Sequence, residues 1–77
     1  MRLLNLYPNK AKRNLTPREK ACVRLVAQGM SDAVIAKQLF INLRTVRFHL
    51  ANAREKLGAM TRSQLIARAL ETNAIGL

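Results

Sequence analysis

Cysteine occurs once in the 77 residues, at Cys22. A single thiol has no partner within the chain, so no disulfide scaffold is expected and a reducing compartment fits. Acids are scarce as well: Asp and Glu together number four, and His one. That is little material for general acid–base chemistry. No paired carboxylates, nucleophile elbow or Gly-rich phosphate loop occurs. His49 and Cys22 lack the further ligands that a zinc site needs. No catalytic residue, metal or cofactor is therefore expected. Long apolar runs are missing too, since none approaches the ~18 residues of a membrane span. Near the N-terminus, Arg2 is followed only by LLNLY before Pro8, too short for a signal-peptide core. A cytoplasmic, nucleoid-associated location without a membrane partner is expected. Internal repeats and low-complexity segments are absent.

What is abundant is positive charge. Lys and Arg number 14, giving a net charge of +10 and a pI near 11.5. In so short a chain this balance implies a polyanionic partner. The length allows one domain, which would bury only about 60–65% of its unfolded surface and would gain stability from a partner.

Apolar spacing places the helices. Thr16-Pro17-Arg18-Glu19 is a strong helix start. Thr can cap, Pro suits the first helical position, and Glu19 can complete a capping box, a role that fits it better than that of a catalytic acid. Cys22, Val23, Leu25 and Val26 form the stripe that follows, and Gly29 ends it. Ser31 can cap a short helix in which Ile35, Ala36 and Leu39 share a face, with Asp32, Lys37 and Gln38 outside. Ile41 lies in the connection, and Asn42 can cap a longer helix. Val46, Leu50, Ala53 and Leu57 make one stripe of that helix, and Gly58 suits a left-handed C-terminal position. Thr61-Arg62-Ser63-Gln64 reads as a second capping box. It opens a last helix carrying Leu65, Ile66, Ala69 and Leu70. The expected fold is all-α: a four-helix domain over 15–77 with helices at about 16–28, 32–39, 43–57 and 61–72, preceded by an arm or linker at 1–14. The basic end of that arm (Lys10, Lys12, Arg13) could add non-specific phosphate contacts.

The short helix, tight turn and longer helix between Ser31 and Gly58 read as a helix-turn-helix. Arg44, Arg47, Ala51 and Arg54 repeat at three- and four-residue steps opposite the apolar stripe, flanked by Phe48 and Asn52. At ~1.5 Å per residue this helix is roughly 22 Å long. Its first two turns fit a major groove about 12 Å wide, where guanidinium forks suit guanine edges and an apolar group suits a thymine methyl. A charged helix face is, however, more often only a solvated one. Phe48 fits either a core edge or a methyl contact.

Several stretches carry a family likeness: LTPREK at 15–20, LVAQGMSDAVIAKQLFI at 25–41, RTVRFHL at 44–50, REKLGA at 54–59 and TRSQLIARAL at 61–70. In this combination the chain resembles the DNA-binding effector domain of the LuxR/FixJ (GerE-like) family of bacterial transcription regulators. The FHLANA run is most similar to the quorum-sensing branch. The resemblance implies a tetrahelical, LuxR-type domain that binds double-stranded DNA and is not an enzyme. It implies that Arg44 and Thr45 meet phosphate or base, and that Arg47, Phe48 and Ala51 face base edges. Lys56 would meet phosphate near the helix end. Arg54, and Lys37 on the preceding helix, are further DNA candidates, because the first helix of such a motif crosses the backbone. Leu43 is unusual, since the family prefers a polar residue there. The family's last helix forms a homodimer contact, for which Leu65, Ala67, Arg68 and Glu71 are the candidates here, the alternative being purely intrachain packing. A sensor or receiver domain usually precedes such a domain in the family, so no small-molecule ligand is expected in this chain.

The leading expectation is a sequence-specific transcription regulator, reading a pseudo-palindromic site as a homodimer that forms fully only on DNA. Two alternatives stand beside it. One is a short chain that acts by pairing with a full-length relative. The other is a sigma-factor-like promoter reader with RNA polymerase as its contact, against which the helix after KLGAMT argues.

Overall fold

The computed structural model of the chain describes residues 14–72. The expected arm, apart from Asn14, and residues 73–77 lie outside the described residues. Within them are four helices, α1 (Pro17–Ala27), α2 (Asp32–Leu39), α3 (Leu43–Leu57) and α4 (Arg62–Glu71), with no strand among the described residues.

Each helix begins where a short polar side chain can accept from a first-turn amide. The Glu19 amide donates to Thr16 Oγ1 at 3.1 Å, and the Thr16 amide donates back to Glu19 Oε1 at 3.0 Å, a complete capping box. Ser31 Oγ accepts from Val34 N at 3.3 Å, and Asn42 Oδ1 accepts from Thr45 N at 2.8 Å. At α4, Thr61 Oγ1 accepts from Gln64 N at 3.0 Å. The second half of the expected box differs: Gln64 Oε1 accepts from Met60 N, at 2.7 Å, and not from the Thr61 amide. The glutamine therefore ties down the residue before the cap.

The helix ends are set by backbone turns. Gly58 takes a left-handed conformation (φ 66°) after α3, so that Ala59 N reaches Arg54 O at 2.9 Å. The same device closes α2, but the left-handed residue there is Phe40 (φ 56°, ψ 43°), with Ile41 N reaching Ala36 O at 3.0 Å. A bulky L-residue is uncommon in that region.

The third helix is the centre of the packing, in contact with each of the other three. Val46, Leu50 and Ala53 of α3 meet Cys22, Val23 and Val26 of α1, Ile35 and Ala36 of α2, and Leu65 and Ala69 of α4 in one core, closed by Leu15 and Ala59. Burying a side chain such as Ile35, Val46 or Leu65 contributes ~1.5–3 kcal/mol. Leu25, expected within the α1 stripe, is only half-buried at the core's edge. Cys22 is fully buried, and burial pushes its thiol above the ordinary value, so it serves as a small core hydrophobe. Among the described residues no helix is long and apolar enough to cross a membrane, and no group of three or more His, Cys, Asp or Glu could hold a metal ion.

Candidate nucleic-acid interface

Because α3 spends one face on the core, its opposite face is held rigidly outward. Arg44, Arg47, Phe48, Ala51 and Arg54 are all exposed, on the side away from Val46, Leu50 and Ala53. Their 3–4–residue spacing stacks them along one side of the helix. Phe48 is 61% exposed, so it lies outside the core, with its ring tilted 5.8 Å from that of His49. Thr45 is half-buried, and its hydroxyl donates to Asn42 Oδ1 at 3.0 Å while its amide occupies the same oxygen. The N-terminal end of α3 is thus braced by its own cap. Leu43 is half-buried beside it. On α2, Lys37 is exposed.

Two of the expected site residues lie elsewhere. Lys56 turns inward: its side chain is 15% exposed, its ammonium donates to Glu19 Oε1 at 2.8 Å and lies 3.4 Å from the Asn14 carbonyl oxygen. A lysine holding a buried carboxylate is not presented to a phosphate. The family resemblance implied a phosphate contact for a lysine near the helix end, but a charge's partner across 37 residues of sequence leaves no local signal. Leu65 is the second correction. It is 1% exposed, packed in the chain's own core, and cannot serve in a dimer contact while the fold is intact. Ala67, Arg68 and Glu71 are exposed on α4, and Leu70, half exposed at 48%, stands with them.

The structure also assembles a cluster that the helical periodicities did not bring out. Asp32, in the first turn of α2, was expected at an exposed position. It is half-buried between two arginines. Its Oδ2 lies 3.6 Å from Arg47 Nε, and its Oδ1 lies 2.9 Å from Arg62 Nη1, as an ion pair without hydrogen-bond geometry. Arg62 Nη2 donates to the Met30 carbonyl at 3.2 Å. The one available signal was scarcity: among four acids and 14 bases, a carboxylate near a helix turn is seldom left alone. The cluster lines an open groove between the α1–α2 turn and the start of α4.

Comparison with known proteins gives a consistent picture. Residues 13–69 match the family model described as bacterial regulatory proteins, luxR family. The chain is 43% identical over 74 residues to the transcriptional activator protein LuxR of Aliivibrio fischeri, covering 96% of this chain and 30% of that protein. It is 42% identical over 71 residues to the HTH-type quorum sensing-dependent transcriptional regulator RpaR of Rhodopseudomonas palustris, covering 91% and 29%. Over 68 residues it is 38% identical to the spore germination protein GerE of Bacillus subtilis, covering 88% and 92%. Among solved structures, that of the transcription factor GerE matches with a TM-score of 0.74 at 38% identity, covering 80% of this chain and 94% of that one. The chain therefore spans less than a third of LuxR and of RpaR, and nearly all of GerE.

Proposed function

Since the chain belongs to the luxR family of bacterial regulatory proteins, we propose that it binds double-stranded DNA in a sequence-specific manner and regulates transcription. In this reading α3 enters the major groove. The observation that carries it is the exposed row of Arg44, Arg47, Phe48, Ala51 and Arg54 on a helix whose other face anchors the whole core. A rigid, basic helix with one apolar ring in its row has the groups for guanine edges, phosphates and thymine methyls. Arg47, Phe48 and Ala51 face base edges. Arg44, Thr45 and Arg54, with Lys37 from α2, hold the sugar–phosphate backbone and set the register. The net charge of +10 supplies long-range attraction.

Pairing through α4 is part of this reading. Ala67, Arg68, Leu70 and Glu71 form its outer surface, and a second copy is the occupant that a two-fold DNA site would present. One ten-residue helix buries too little area for a strong dimer, so pairing is completed on DNA. The location proposed with this function is the bacterial cytoplasm.

Selection of binding sites from random duplex DNA at about 0.15 M salt tests the reading, because non-specific attraction is already weakened there. Enrichment of an inverted repeat supports a dimeric reader. Enrichment of a single half-site supports DNA reading and overturns pairing. No enrichment overturns sequence-specific binding.

A further inference from the structure

We propose that Asp32 is a positioning residue for base selection by Arg47, held in place by Arg62. The inference rests on the reading that α3 binds DNA, and goes beyond it by naming a residue that never touches the nucleic acid.

Arg47 is the member of the exposed row that has a carboxylate beside it, 3.6 Å from its Nε, and its side chain is otherwise open, at 65% exposure. A long, exposed arginine samples many rotamers, and bidentate base reading uses one of them. A carboxylate on the Nε side restricts the guanidinium while leaving the two terminal nitrogens for the fork that guanine accepts. Asp32 is itself anchored. The Arg62 guanidinium reaches across from the start of α4 to Asp32 Oδ1 at 2.9 Å and to the Met30 carbonyl at 3.2 Å, and Oδ1 is out of solvent. The sequence Arg62–Asp32–Arg47 thus runs from α4 through the first turn of α2 to the reading face of α3. The carboxylate has a second effect. It offsets part of the charge that would draw Arg47 to any phosphate, and in a chain of +10 such undirected attraction is already ample.

A purely structural account assigns Asp32 to the favourable end of the α2 dipole. The two accounts part in how they treat DNA. The test measures binding of purified wild-type and variant chains to the selected duplex, to duplexes changed at each base pair, and to random duplex, across a salt series, with thermal melting as the check on folding. In Asp32→Asn, discrimination at the base pair read by Arg47 falls about fivefold or more, while discrimination elsewhere is kept. Binding to random duplex strengthens, and its log K against log[salt] steepens by up to ~0.9, one additional phosphate. In an Arg47→Ala background the same substitution leaves discrimination unchanged. Asp32→Glu keeps the charge but displaces the carboxylate; it lowers discrimination at that base pair without steepening the salt response, and it decides the matter should Asp32→Asn not fold. Discrimination unaltered in both variants overturns the proposal, as does a loss that persists without Arg47. A wild-type chain that does not distinguish the selected duplex from random DNA overturns the DNA-reading function itself, and the positioning role with it.

Discussion

The Lys56 ammonium lies 2.8 Å from the Glu19 carboxylate, joining the last turn of α3 to the first turn of α1. Both groups are shielded from water, and Glu19 also completes the cap on Thr16. Removing one member of such a pair strands the other. Lys56→Ala should therefore lower stability by about 3 kcal/mol, a large share for so small a domain. Urea unfolding measures this directly. The salt slope of DNA binding, taken at a temperature where the variant is folded, should match that of the wild type. A slope lower by ~0.9 would return Lys56 to the phosphate-contacting set.

The same pair sets an acid limit. Burial alone would raise the Glu19 carboxyl, but the Lys56 hydrogen bond, the Thr16 amide and the charges of Lys56 and His49 outweigh it and hold the group below its ordinary value of 4.5. A carboxyl whose folded value is depressed contributes stability that is present above the unfolded value and is lost as pH falls through the folded one. The contribution of Glu19 should thus be full and independent of pH near neutrality, and stability should decline below about pH 4.5. The difference between wild type and Lys56→Ala should narrow over the same range, because a protonated Glu19 no longer needs a cation. Thermal melts between about pH 3 and 7 would show it, and a constant difference across that window would remove Glu19 as the cause.

Phe40 is held in the left-handed region at φ 56° with 92% of its surface exposed, so its ring gains little from packing. An L-residue with a Cβ is strained there by ~1–2 kcal/mol relative to glycine, which adopts the conformation freely but loses more chain entropy on folding. Phe40→Gly should consequently stabilise the domain by about 0.5–1 kcal/mol, raising its melting temperature by a few degrees. A fall in stability would mean that the ring packs in solution.

Arg47 and Arg44 are one turn apart on the exposed face of α3, yet they are proposed to act differently. Arg47→Ala should relax preference at one base pair by about 1–3 kcal/mol. Arg44→Ala should weaken binding about equally on all duplexes and lower the salt slope by roughly 1. Competition binding against single-base-pair variants separates the two. Equal losses on every duplex for Arg47→Ala would reassign it to the backbone.

What was legible in the sequence is what local spacing encodes. Thr16, Ser31, Asn42 and Thr61 each sit one residue before a periodic run, and each caps. The stripe Val46, Leu50, Ala53 fixed which face of α3 turns inward and so which face carries the arginines. What stayed hidden depends on tertiary distance. Nothing near Lys56 indicates Glu19, and nothing near Asp32 indicates Arg62, because residues 37 and 30 positions apart meet only after the helices pack. Phe40 stayed hidden for a different reason: the turn's geometry, not its residue type, demands a left-handed backbone there. On α4, alternation of apolar and small residues leaves Leu65 and Leu70 equivalent on paper, and packing alone tells them apart.

Those two leucines make the pairing proposal separable from folding. Leu65 fills the core at 1% exposure, whereas Leu70 is 48% exposed on the outer side of α4 with Ala67, Arg68 and Glu71. Leu65→Ala removes buried methyl groups and should lower stability by about 2–5 kcal/mol. Any loss of pairing in that variant would merely follow unfolding. Leu70→Lys places a charge on an already open surface and should change stability by no more than about 0.5 kcal/mol. If α4 is the pairing surface, two copies of Leu70→Lys bring like charges together across a two-fold axis. Occupancy of an inverted repeat should then lose cooperativity, while affinity for a single half-site is retained. Band-shift titrations on a full and a half site resolve the two. Undiminished cooperativity in Leu70→Lys would place the pairing surface elsewhere.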